Sequence, residues 1–319
     1  MSVATTKPNL FIVGQPKSGT SALFSFLRQH PKINACSAKE PSYFCTDIRS
    51  QHFHLSKTPR ELGNYLDLYP QRTCDYAMEG STSYLYSATA AQEIYAFNPA
   101  SKIIILLREP AKFLFTYHKQ LLRNSCVFEE VDSFEDALAL EPRRKKGEAL
   151  PAGVFDEKFL FYSERLRYVE HISRYARLFP KEQIQVIVYD DFRDDNAAVM
   201  NQVWRFLELE PPSELKLAEV NRQVAVRNRR VKQFLDKHLF GFKAWLKHGT
   251  AKPLFKILRR LYRSVIFSGE LSETLNPETE KKLKQQYYPE VAQLSKYMDR
   301  DLITQWGYTD AAPARQISG

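Results

Sequence analysis

A lysine set inside a glycine loop is the first chemically loaded feature of this 319-residue chain. Residues 10–21 read Leu-Phe-Ile-Val-Gly-Gln-Pro-Lys-Ser-Gly-Thr-Ser. That is a short apolar run of the kind buried in a parallel sheet, then a tight loop, then the helical spacing of Ala22, Leu23, Phe24, Phe26 and Leu27. The first N–H groups of a helix lack intrahelical partners and its dipole favours an anion, so residues 18–21 offer N–H groups and hydroxyls to a phosphate or sulfate. Gly14 and Gly19 keep the GxxxxG spacing of a nucleoside-triphosphate loop, but Thr20-Ser21 stand where that motif needs Lys then Ser or Thr. Lys17 lies instead within the loop, in reach of the terminal group of a bound anion.

A second anion-binding pair follows at Arg108, directly after the apolar run 101–107, with Thr116 eight positions later. An arginine fork suits a phosphate dianion, and a hydroxyl adds one more hydrogen bond. Pro16-Lys17-Ser18-Gly19-Thr20-Ser21, with Arg108-Glu109-Pro110-Ala111-Lys112 through Thr116-Tyr117-His118, resembles the two donor-binding segments of sulfotransferases that use PAPS (3'-phosphoadenosine 5'-phosphosulfate). Thr116 replaces the usual Ser and keeps the hydroxyl. The resemblance implies that Lys17, Ser18, Gly19, Thr20 and Ser21 hold the 5'-phosphosulfate and that Arg108 and Thr116 hold the 3'-phosphate. It further implies that Lys17 neutralises the bridging oxygen as the adenosine bisphosphate PAP departs, and it demands no metal.

Sulfuryl transfer needs a group that takes the proton of the attacking hydroxyl or amine. Lys39-Glu40-Pro41-Ser42-Tyr43-Phe44 resembles the segment that supplies a catalytic glutamate in the carbohydrate, heparan-sulfate-type branch, which implies Glu40 as the base. His118 is the rival, although its place after the Arg108–Thr116 segment reads as structural. Glu79-Gly80-Ser81-Thr82-Ser83-Tyr84-Leu85 gives a third match, with a departure: Gly80 stands where those enzymes often carry a lysine. Glu79 is open between a structural role and one supporting the site, such as holding Lys17 or a substrate hydroxyl. The resemblance extends over residues 9–307 and makes Arg227, in a segment that closes over the nucleotide, a further phosphate ligand.

The elements that must position these residues alternate. Residues 101–107 and 183–189 read as buried strands, 113–123 as a helix, and 155–179 carries apolar residues at helical intervals, from Phe159 and Tyr162 to Tyr175 and Phe179. The expectation is an α/β, three-layer P-loop-like fold: a central, mainly parallel sheet flanked by helices, with a helical C-terminal region. Ligands collect at the carboxyl ends of such strands, which places residues 14–21, Arg108 and Asp190 along one edge. Asp190-Asp191 reads as a helix start rather than a metal-binding acid pair. The chain is expected to form one domain over 1–319, with an α/β core at 9–210, a basic amphipathic helical segment at 221–267 and a helical part at 275–307.

Charge singles out that middle segment. Residues 221–267 hold thirteen Lys and Arg against the single acid Asp236, in a chain whose net charge is +9. Interleaved aromatics such as Phe234, Phe240, Trp245 and Tyr262 suit an acidic membrane surface or an anionic polymer, and no nucleic-acid reading motif accompanies them. No run approaches the roughly 20 apolar residues of a membrane span, and the polar start has no secretory core, so a cytoplasmic location with peripheral membrane association is expected. Cys36, Cys45, Cys74 and Cys126 lack metal-ligand spacing and read as ordinary thiols. The resemblance therefore implies transfer from PAPS to a hydroxyl or amine of a glycan or glycolipid. A P-loop kinase is disfavoured by the absent loop-end lysine, and a non-catalytic nucleotide- or membrane-binding protein by Lys17 and the nearby carboxylate.

Overall fold

The computed structural model describes residues 7–48, 59–70, 74–123, 129–151, 154–217, 224–226, 267–270 and 274–312. In chain order the elements are β1 (Leu10–Gly14), α1 (Thr20–Leu27), β2 (Ile33–Ala35), α2 (Leu62–Leu66), β3 (Tyr76–Gly80), α3 (Ala90–Phe97), β4 (Lys102–Leu107) and α4 (Pro110–Arg123). They continue with α5 (Phe134–Ala139), α6 (Glu141–Arg144), α7 (Tyr168–Ala176), β5 (Ile184–Val188), α8 (Tyr189–Asp194), α9 (Asn196–Phe206), β6 (Val224–Val226), β7 (Phe267–Glu270), α10 (Pro277–Met298) and α11 (Leu302–Gln305).

Five strands form one sheet in the order β2-β3-β1-β4-β5. Every pairing in it is parallel, in agreement with the expected sheet. Burial explains the choice: Leu10 and Ile12 on β1 and Ile104 and Leu106 on β4 face a core shared with Leu23 and Leu27 of α1 and Val203 and Trp204 of α9. The alternate residues Phe11, Val13, Ile103, Ile105 and Leu107 are also fully buried, so both faces are covered by helices. β1 lies between β3 and β4, so the chain leaves it toward one edge of the sheet and returns on its other side at β4. The crevice outside the carboxyl ends of β1 and β4 is the switch point where such sheets bind ligands.

By contact the chain divides into two compact units. One comprises residues 1–117, 161–220 and 276–319 and contains the sheet; the other comprises 118–160 and 221–275. In the second, Arg144 and Glu129 form a fully buried two-pronged ion pair, both bonds at 2.7 Å.

Several expectations change. The periodic stretch 155–179 is not one helix: it runs as two 3-10 turns, Glu157–Leu160 and Ser163–Leu166, before α7 begins. Its polar residues explain the break. The Arg165 guanidinium is buried over the rings of Tyr86 and Tyr117 at 4.2 and 4.7 Å, and Arg167 leaves helical geometry at φ −70, ψ 63. α4 starts three residues earlier than the apolar spacing indicates, because the buried Glu109 carboxylate accepts the N–H groups of Ala111 and Lys112 at 2.9 and 2.7 Å. Within the segment expected to be helical at 221–267, Val224–Val226 is a strand paired antiparallel with Phe267–Glu270; the rest of it lies outside the described residues. The helical C-terminal part is α10 and α11, with Asn276 capping α10 by accepting the Glu278 N–H at 2.8 Å. No helix among the described residues is long and apolar enough to cross a membrane.

Candidate active site

The β1–α1 loop forms as its sequence suggests. β1 runs into Gly14, and Gly19 stands in the left-handed region (φ 85) as the residue before α1. A Cβ at Gly19 would lie 2.9 Å from the Phe192 ring and 3.3 Å from that of Tyr189, so glycine is required by both φ and space. The Ala22 and Leu23 N–H groups turn back to the Gly19 carbonyl at 2.9 and 3.0 Å, and those of Thr20 and Ser21 open onto the loop with no side-chain cap over them. Lys17, in the middle, is half-buried with φ 63. Ser18 is fully buried, its hydroxyl turned inward at 3.5 Å from Gln15 Oε1 and 3.4 Å from the Pro16 carbonyl.

Arg108, at the carboxyl end of β4, is drawn onto this loop. Its Nη1 donates to the Lys17 carbonyl at 2.9 Å and reaches Thr116 Oγ1 at 3.4 Å, while Thr116 donates back to the Lys112 carbonyl of its own helix at 2.8 Å. The guanidinium lies over the Tyr189 ring, 4.7 Å from its centre. Burial lowers the Arg108 pKa, and a cation stripped of part of its water gains from an anionic partner. Tyr168 fastens the two loops together: its hydroxyl donates to the Arg108 carbonyl at 2.8 Å and accepts from Gln15 Nε2 at 3.4 Å. Tyr168, Tyr189 and Phe192 escape sequence reading because a lone aromatic carries no motif; what they do follows only from where β5 and α7 fall.

Glu40 lies on the other side of the loop. Its carboxylate accepts the Thr82 N–H at 2.7 Å and the Thr82 hydroxyl at 3.1 Å, and its own N–H donates to the Gly80 carbonyl at 3.1 Å. About a third of the side chain (37%) is open to solvent. Withdrawal from water raises its pKa above the ordinary carboxylate value, opposed by the charge of Lys39 and the hydrogen bonds from Thr82. Lys39 links the two sides. Its ammonium donates to the Ser21 hydroxyl at the start of α1 and stands 3.7 Å from Glu40 Oε1.

Lys39, which carries no motif of its own in the sequence, brings a positive charge to the site. Gly80 is explained by packing: a Cβ there would approach the Phe24 ring to 3.1 Å. Glu79, on β3, is fully buried, with hydrogen bonds from Tyr65 and from Ser81 Oγ at 2.6 Å and the Tyr84 hydroxyl facing it. Burial pushes its pKa up to about 7. Asp190 and Asp191 begin α8, as expected, and hold the C-terminal helices: Asp190 accepts from Trp306 Nε1 at 2.9 Å, and Asp191 binds Arg300 through two bonds at 2.6 and 2.7 Å. His118 is 2% exposed, its Nε2 hydrogen-bonded to the Val131 carbonyl at 2.9 Å and its ring against Phe134, which suits the structural role. Arg227 lies outside the described residues.

A parallel α/β sheet with a glycine loop at its switch point, an arginine just beyond the neighbouring strand and a carboxylate of raised pKa nearby is an arrangement suited to group transfer. The chain belongs to the sulfotransferase domain family, whose model matches residues 7–240. The human bifunctional heparan sulfate N-deacetylase/N-sulfotransferase 3 is 26% identical over 207 residues, covering 64% of this chain and 22% of that protein. The mouse heparan sulfate glucosamine 3-O-sulfotransferase 3A1 is 30% identical over 204 residues, covering 63% of this chain and 46% of that protein. The chain thus spans about a fifth of the first relative and under half of the second. The crystal structure of a sulfotransferase from Alicyclobacillus acidocaldarius shares the fold, with a TM-score of 0.69 over 95% of this chain and 99% of its own, at 24% identity.

Proposed function

We propose that this protein moves the sulfuryl group of PAPS to a hydroxyl or amine of a glycan or glycolipid by direct in-line transfer. The observation that carries the reading is Lys39, whose ammonium joins the Ser21 hydroxyl of the anion-binding loop to the Glu40 carboxylate, so that a donor site and a base share one crevice.

The residues present fit such a donor. Backbone N–H groups of residues 18–21 with the hydroxyls of Thr20 and Ser21 receive the 5'-phosphate, and the Ser18 hydroxyl stiffens the loop from inside. Arg108 and Thr116 receive the 3'-phosphate, and Arg227 is assigned to the same group from its sequence context. Lys17 balances the charge that develops on the bridging oxygen, and Lys39 supplies a second cation beside it. Glu40 takes the acceptor proton, for which a carboxylate with a raised pKa is the stronger base. Catalysis of this kind rests on positioning and fixed charge rather than on covalent chemistry by the protein.

The glycan assignment draws support from the heparan sulfate enzymes among its relatives and from the sequence around Glu40. The basic segment 221–267 is assigned to the anionic surface, polymer or membrane, on which such acceptors are carried. The test is incubation with PAPS or ATP carrying labelled sulfuryl or γ-phosphoryl groups and a panel of desulfated heparan oligosaccharides, glycolipids and phenols. Labelled sulfate on a saccharide, lost in Lys17→Ala, is the expected result. Phosphoryl transfer, or PAPS binding without turnover on every acceptor, overturns the reading.

A further inference from the structure

We propose that Glu79 is the positioning residue that aims Glu40, acting through a fan of hydroxyls that grips the base-bearing loop one residue at a time. The inference rests on the reading of Glu40 as the base.

The loop needs such a grip. Glu40 and Ser42 both take left-handed backbone angles (φ 59 and 51), which residues with a Cβ adopt only under external constraint. Secondary structure supplies none, for the described loop between β2 and residue 48 contains only turns and bends. Glu40 itself is held by Thr82 and the Gly80 carbonyl, and the residues that follow it are held by three side chains that surround Glu79. Ser81 Oγ donates to Glu79 Oε1 at 2.6 Å and accepts the Ser42 N–H at 2.9 Å. The Tyr84 hydroxyl, which faces the Glu79 carboxylate, accepts the Phe44 N–H at 3.2 Å. Tyr65 donates to Glu79 Oε2 and stacks its ring on that of Tyr43, with centroids 4.5 Å apart and planes 9° from parallel. Residues 42, 43 and 44 are thus each held by a different partner of one carboxylate.

A buried carboxylate is costly unless its lone pairs are filled, and an orphaned one is costlier still. Here Tyr65 and Ser81 donate into them with Tyr84 alongside, so the Ser81 hydroxyl must aim its proton inward while it presents a lone pair outward to the Ser42 N–H. Glu79 thereby dictates the direction of the whole fan. A neutral amide at this position would demand acceptors where the fan supplies donors, and would turn at least one hydroxyl around. The titratable groups facing Glu79 are Tyr65 from α2, Tyr69 just after it, Tyr84 beyond β3, Tyr175 from α7, Cys36 after β2, and Cys45 and Glu40 from the loop. These are neutral or acidic groups, and burial with the nearby Glu40 charge brings the Glu79 carboxyl to about 7. The fan is therefore fully set only above neutrality, which adds a second acid limb to turnover alongside that of Glu40 itself.

Glu79→Gln is expected to lower kcat on the order of 100-fold, the cost of misplacing a catalytic group by about 1 Å, while PAP affinity measured by calorimetry is unchanged. The decisive readout is the background of Glu40→Gln: a residue that acts only by aiming Glu40 costs nothing further there, whereas a general structural lesion multiplies in both backgrounds. The limb near pH 7 should vanish in Glu79→Gln and persist in Ser81→Ala. If Glu79→Gln does not fold, Ser81→Ala with Tyr84→Phe, which keeps the carboxylate, carries the same test. Equal losses in both backgrounds, or a fall in PAP affinity matching that in kcat, overturn the inference alone. Absence of sulfuryl transfer by the wild-type protein overturns the reading of the reaction and this inference with it.

Discussion

The β1–α1 loop and the loop that carries Glu40 meet at Lys39, yet they are held by opposite means. The first is fixed by its own backbone: a buried strand, a glycine in the left-handed region and the start of a helix leave little choice of conformation. The second is fixed by partners far along the chain, Thr82 on Glu40 (42 residues away), Ser81 on Ser42 (39 away) and Tyr84 on Phe44 (40 away). A site for a constant donor can be built into local geometry. A site that must present a base to a particular acceptor is built from tertiary contacts, which can be changed one at a time without disturbing the donor cradle.

The sharpest way to break this comparison is to remove one side's chemistry and ask whether the other survives. Glu40→Gln should lower turnover by about 100-fold to 10,000-fold, the usual share of a general base, with PAP affinity intact. Loss of PAP binding in that variant would show that the two sides are not separable. The pH profile refines the test. A base works only when ionised, and the Glu40 pKa is raised, so with Glu40 as the proposed base turnover should climb with pH through that raised value and then level off. Lys39 opposes the shift, so Lys39→Met should move this limb to still higher pH. A limb that stays in place would disconnect Lys39 from Glu40.

Lys17→Ala attacks the donor side and comes next in size, on the order of 100-fold to 1,000-fold in turnover, the typical cost of one preorganised electrostatic contact. The Glu40-dependent pH limb should survive in what activity remains. A shifted limb would mean that Lys17, not Lys39, sets the charge around the base.

The same contrast explains what could be read from the sequence. Lys17, Arg108 and Thr116 were legible because strand, turn and helix are encoded within a few residues of each. The crevice between β1 and β4 followed from a parallel sheet. β3 was not legible as a strand: Tyr76–Gly80 is five residues long and carries a buried glutamate and a glycine, so it has neither the apolar run nor the alternation that marks a strand. The long helix read at 155–179 failed for a related reason. Periodicity counts the apolar positions of that stretch, but the buried Arg165 guanidinium lies over the rings of Tyr86 and Tyr117, about which local spacing says nothing. Glu40 was named as the base only through family resemblance, since its orientation depends on residues outside its own segment.

Arg108 tests whether the donor side is as local as its sequence suggests. A charged hydrogen bond contributes about 1.5–3 kcal/mol. Arg108→Ala should therefore weaken PAP binding by roughly 10-fold to 100-fold. Arg108→Lys should recover only part of this, because an ammonium cannot reach the Lys17 carbonyl, Thr116 and a phosphate with one fork. Full recovery would reduce the residue to a point charge.

The smallest effect belongs to Thr116, and it separates two readings of the Arg108 geometry. Thr116 Oγ1 donates to the Lys112 carbonyl at 2.8 Å and stands 3.4 Å from Arg108 Nη1, so its hydroxyl both satisfies the helix and steers the guanidinium. Thr116→Ser keeps the hydroxyl and should leave PAP affinity as it is. Thr116→Val keeps the shape but removes one neutral hydrogen bond, about 0.5–1.5 kcal/mol, and should weaken PAP binding several-fold with kcat unchanged. If Thr116→Val instead lowers kcat and spares PAP affinity, the Arg108–Thr116 pair faces the transferred group rather than the far phosphate, and the division of the crevice into a donor side and an acceptor side would have to be redrawn around Lys39.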